Sequence, residues 1–63
     1  MSELEDKLTI ALANVEISKQ IIVDKKENTD DEALSSYLTN YNLELLDVKL
    51  RLKDMIRHLD KIQ

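Results

Sequence analysis

His58 stands four residues after Asp54, so on a helix the two side chains share a face. A carboxylate beside an imidazole can titrate as a pair, or begin a metal site. A zinc site takes at least three protein ligands in almost every case, and this chain has one His and no Cys. The pair therefore reads as a surface contact one helical turn long. Asp30, Asp31 and Glu32 gather carboxylates of the kind that hold divalent cations. A calcium loop needs a glycine at its sharp turn, and the chain has none. These acids read instead as residues at a helix start. Ser18, Ser35 and Ser36 carry hydroxyls, but a serine nucleophile needs an activating base and an oxyanion site. His58 is the sole base candidate, and it lies far from them in the arrangement argued below. No enzyme activity, cofactor or metal is expected.

Lys49, Lys53, Arg57 and Lys61 step by four and form a basic ridge. It suits a phosphate or an acidic partner. It better suits a solvated ridge paired with acids of the first helix, or with Asp47, Asp54 and Asp60. Tyr37 and Tyr41 are one turn apart, placed either for packing or as a partner-binding hot spot, where tyrosine is enriched. Tyr37, Tyr41, Lys49, Lys53 and Arg57 are thus the candidate partner-binding residues. The net charge of −4 weighs against generic nucleic-acid binding and against anionic membrane surfaces. No run reaches the roughly 18 apolar residues of a spanning helix. The start, MSELEDKLTI, has acids where a signal peptide has bases, so a cytoplasmic protein is expected.

The elements that carry these residues are helices. Gly and Pro are both absent, which removes most hairpin and phosphate-loop chemistry. Ser2 and Glu5 have capping-box spacing, and Thr29 and Glu32 repeat it. Between them DKKENTDD, residues 24–31, holds no apolar residue. Acids cluster at both starts and Lys25, Lys26, Arg57 and Lys61 near both ends, as the helix macrodipole favours. The pattern predicts one domain over residues 1–63, with a helix over about 3–25, a turn over about 26–29 and a helix over about 30–62.

The second helix carries an unbroken seam of Leu34, Leu38, Tyr41, Leu45, Val48, Leu52, Met55, Leu59 and Ile62, in alternating steps of four and three. That is heptad spacing, as in coiled coils. The first helix answers with Leu4, Leu8, Ala11, Val15, Ser18 and Ile22, widened by Leu12. A short connection makes the two antiparallel neighbours. With the turn centred near Glu27, Val15 falls opposite Thr39, Leu8 opposite Leu46, and the acidic start of the first helix beside Lys49 to Lys53. The first helix then runs out near Lys53. Met55, Ile56, Leu59 and Ile62 are left to a second chain.

Second faces point the same way. Ile10, Ile17 and Ile21, with Asn14 at the missing heptad position, lie opposite the seam of the first helix. Leu43, Leu46 and Leu50 do the same on the second. Asn14 resembles the polar residue that fixes register in a coiled coil, or is a plain exposed asparagine. Residues 8–15 and 33–43 hold no charged residue, which suggests a contact surface around mid-hairpin. A chain this short, without disulfides or a metal, has oligomerisation as its remaining route to stability. The expected fold is all-α: a helical hairpin, short helix first, that self-associates into a coiled-coil-like bundle, most simply a homodimer of four helices. Its expected interface is Ile10, Asn14, Ile17, Ile21, Leu43, Leu46, Leu50, Met55, Ile56, Leu59 and Ile62. The expected role is a small protein–protein interaction module, such as a regulator, inhibitor or adaptor, whose partners are itself and another protein. The alternatives are a scaffold element whose main partner is itself, or a nucleic-acid accessory protein using the basic ridge.

Overall fold

The structure, a computed structural model, describes residues 2–62. It is all-α, with α1 over Glu3–Glu27 and α2 over Glu32–Ile62 folded into a hairpin. Ser2 caps α1: its hydroxyl accepts a hydrogen bond from the Glu5 N–H at 3.1 Å, meeting one of the donors a helix start leaves open. Three acids in the first turn and Lys25 and Lys26 in the last complement the dipole.

The connection lies later than the sequence pattern suggests, and this changes the register. α1 continues to Glu27, and Asn28 ends it with φ −107° and ψ 12°. The Asn28 amide donates to the Asp24 carbonyl at 2.8 Å. Thr29 and Glu32 do not form the expected capping box. Thr29 Oγ1 accepts from the Asp31 N–H at 3.3 Å, and Asp31 is the cap of α2, its Oδ1 accepting from the N–H groups of Ala33 at 3.0 Å and Leu34 at 3.2 Å. No described residue has a positive φ, so the turn closes without needing glycine.

With the turn moved toward α2, α1 lies beside α2 along nearly its whole length. Lys19 Nζ donates to Asn42 Oδ1 at 3.0 Å and to the Asn42 carbonyl at 3.4 Å. Lys49 Nζ meets Glu16 Oε1 at 2.7 Å. Leu4 and Leu8 face Met55, His58 and Leu59 across a shared groove. The acidic start of α1, expected beside Lys49 to Lys53, instead meets Asp60 through Glu5. The overhang expected after Lys53 is therefore absent. Ile56 and Leu59 are half-buried within their own chain, while Met55 is exposed and Ile62 retains 77% of its surface.

The seam of α2 divides. Leu38, Leu45, Leu52 and Leu59 are buried or half-buried, whereas Leu34, Tyr41, Val48, Met55 and Ile62 are exposed. On α1, Leu8, Ala11, Leu12, Val15 and Ile22 are half-buried, and Lys19 takes the inward place expected for Ser18. Among the described residues only Leu38, at 6% exposure, is a buried apolar side chain; Glu5, at 7%, is the buried polar one. The hairpin is a rod of 48 × 15 × 11 Å with a radius of gyration of 14.7 Å. A compact chain of this length would have about 10.6 Å.

Candidate interaction surface

The apolar side chains that α1 and α2 leave uncovered form three strips. The first, on α1, is Ile10, Ile17 and Ile21 with Asn14 between them; all four are exposed. At about 100° per residue they lie on the side of α1 turned away from Leu12, Val15 and Ile22. The second, on α2, is Leu43, Leu46 and Leu50, also exposed. Leu43 and Leu46 flank the contact of Lys19 with Asn42. The third is the outer half of the α2 seam, Leu34, Tyr41, Val48, Met55 and Ile62, with Tyr37 alongside. Of the expected interface residues, Ile56 and Leu59 alone have substantial cover inside their own chain.

At the open end of the hairpin, Leu4, Leu8, Met55 and Leu59 line a groove of about 340 Å³, with Asp54 and His58 at its edge. His58 Nδ1 lies 3.6 Å from Asp54 Oδ2, and both side chains are largely in solvent. This is the surface contact expected from the spacing. Sequence reasoning did not find this groove, because it exists only in the observed register. Tyr37 and Tyr41 stack with ring centroids 6.3 Å apart and planes inclined by 22°. The one-turn spacing already hinted at that contact.

The basic ridge is broken at its first member. Lys49 is only 22% exposed in its side chain and is engaged by Glu16, whereas Lys53, Arg57 and Lys61 face solvent. The Lys49 hydrogen bond holds the Glu16 carboxyl below the usual carboxylate range, assisted by the Lys49 charge. At the other end Glu5 is pushed up: the Asp60 carboxyl within hydrogen-bonding reach is the main cause, followed by burial and then the Asp60 charge.

The hydroxyls weighed as nucleophiles are elsewhere. Ser18 Oγ donates to the Asn14 carbonyl at 2.9 Å, as Thr9 does to Glu5 at 2.9 Å and Thr39 to Ser35 at 3.0 Å. Such bonds to the preceding turn occupy the donor. Ser35 and Ser36 begin α2, while His58 is near its other end. Asp30, Asp31 and Glu32 stand at the turn, with Asp31 serving as the cap. Among the described residues, no three His, Cys, Asp or Glu side chains converge, and no helix is long and apolar enough to cross a membrane.

No family model, curated protein or solved structure matches the chain.

Proposed function

We propose that this chain is a small non-enzymatic interaction module that acts as a homo-oligomer, most simply a dimer in which two hairpins complete a four-helix bundle. The supporting observation is the missing core. Among the described residues one apolar residue is buried, while thirteen large apolar side chains remain exposed. The hairpin exposes 4928 Å² at 7.3 kDa, against about 4,200 Å² for a compact monomer of that mass. The excess, about 700 Å², is close to the roughly 800 Å² that each partner loses in an ordinary stable interface. Two helices in contact along one seam bury too little to offset the ordering of 63 residues. A second copy supplies the remaining half of a core without a disulfide or a metal.

The reading as a module that also binds another protein draws on the isoleucine strip of α1. It lies on the far side of that helix and is apolar enough to take a further partner. Thermal melting followed by circular dichroism over a range of protein concentrations tests the self-association. A melting temperature that rises with concentration is expected, because folding and association are linked. A cooperative melt at one temperature throughout overturns the reading.

A further inference from the structure

The outer half of the α2 seam is symmetric under reversal. Leu34, Tyr41, Val48, Met55 and Ile62 recur every seven positions and are all exposed. Beside them runs a second exposed row at the same interval: Tyr37, Glu44, Arg51 and His58. The first row is centred on Val48 and the second between Glu44 and Arg51, at the same level of the helix. Turning a second copy end for end about an axis beside Val48 sets apolar against apolar at every level of the first row. In the second row it sets Glu44 against Arg51, twice, and Tyr37 against His58. Side by side in the parallel sense, Glu44 would face Glu44 and Arg51 would face Arg51, a like-charge arrangement that disfavours the pairing.

The groove at the open end fits the same operation. Tyr41 lies as many residues before Val48 as Met55 lies after it, so the antiparallel copy brings its Tyr37 and Tyr41 over the groove lined by Leu4, Leu8, Met55 and Leu59. Both rings are about half exposed, at 58% and 49%, and already stacked, so little freedom is lost on seating them. Asp54 and His58 at the groove edge offer acceptors for the phenolic hydroxyls. Arg51 Nη2 contacts Asp47 Oδ2 at 3.0 Å in the single hairpin, yet both side chains are mostly exposed and the guanidinium has further donors for Glu44 of another copy.

We propose that a second copy of this chain docks antiparallel along α2, about a twofold axis beside Val48, each copy seating Tyr37 and Tyr41 in the groove between α1 and α2 of the other. The proposal rests on the self-association argued above and specifies its face and direction. The contact is isologous and therefore closes at two copies. It leaves Ile10, Ile17 and Ile21 outside.

The chain has no cysteine, so single-cysteine variants report proximity without background. Under mild oxidation Val48→Cys crosslinks to itself. Leu34→Cys and Ile62→Cys crosslink when mixed, while neither does so alone. Glu44→Arg and Arg51→Glu each weaken association about tenfold, and the double variant returns to within about threefold of the unmodified chain. Self-crosslinking of Leu34→Cys would mean a parallel pairing. Crosslinking through Ile17→Cys without crosslinking through Val48→Cys would mean a dimer on the isoleucine strip. Failure of the double charge variant to recover would remove the Glu44–Arg51 contact. Any of these overturns the proposed arrangement while a dimeric mass of the unmodified chain keeps self-association standing; a monomeric mass overturns both.

Discussion

Glu5 and Asp60 bring two carboxyl groups together at the open end of the hairpin, one from the first turn of α1 and one from the last turn of α2. Glu5 is nearly buried there, and Asp60 sits at a helix end where the dipole also disfavours an acid. A Glu5 carboxyl held above its usual range binds its proton more tightly folded than unfolded. Its stabilising contribution is present below the unfolded value and is lost as pH rises through the folded value. At neutral pH the pair opposes the fold. Asp60→Asn should raise the melting temperature at about pH 7 by about 2–5 °C. The gain should shrink toward acid pH, below the folded value of Glu5, where Glu5 is protonated. Melts of both proteins across this range check it; a loss of stability in the variant at neutral pH is the contrary result.

Glu16 and Lys49 give the opposite sign. Glu16 is held low by the Lys49 hydrogen bond, so its contribution is present above the unfolded value and is lost as pH falls through the folded one. Lys49→Gln should lower the melting temperature by a few degrees at neutral pH and by less at an acid pH below the folded value of Glu16. Equal losses at both pH values would show that the aliphatic stem of Lys49, rather than its charge, holds the helices together.

Lys53, Arg57 and Lys61 face solvent, and of the three only the Lys53 charge adds a smaller pull on Glu16. Replacing all three by Gln should leave helicity and mass intact, since exposed charges contribute about 0–1 kcal/mol each at most. Loss of oligomer in sedimentation would place part of this ridge inside an interface.

Among the described residues Leu38, 6% exposed, is the one buried apolar side chain. Leu38→Ala should cost about 2–5 kcal/mol, comparable with the whole stability of so small a domain. Circular dichroism should then report a largely unfolded chain at concentrations where the unmodified one is helical. A well-folded variant would mean that the core lies elsewhere.

Asn14 interrupts an otherwise isoleucine strip, and its exposed position makes the outcome of filling the gap specific. Asn14→Ile should add assembly beyond the dimer, because it completes a continuous apolar surface outside the proposed contact. Light scattering checks this; unchanged mass at all concentrations would leave Asn14 an ordinary solvated residue.

The two helices were legible because each carries a heptad seam and Ser2 marks a start, signals that act over a few residues. The hairpin register was not. Both seams repeat every seven residues, so sliding one helix by a heptad matches apolar positions nearly as well. What distinguishes the observed register is polar: Lys19 with Asn42 and Glu16 with Lys49. Lys19 and Asn42 occupy inward positions, and that was the signal available. Pairing opposite charges at the helix ends pointed elsewhere, because it would never bring Glu5 to Asp60. Which half of the α2 seam faces its own chain was equally hidden, since helix rotation depends on that register. The groove, and its relation to Tyr37 and Tyr41, follows from both.

The central claim is that one hairpin is half of a core. Sedimentation equilibrium of the unmodified chain tests it most directly. A mass twice the 7.3 kDa of the chain at micromolar concentration, falling toward the single mass on dilution together with loss of helicity, is the predicted result. A helical protein that holds the single mass at every concentration would contradict the account.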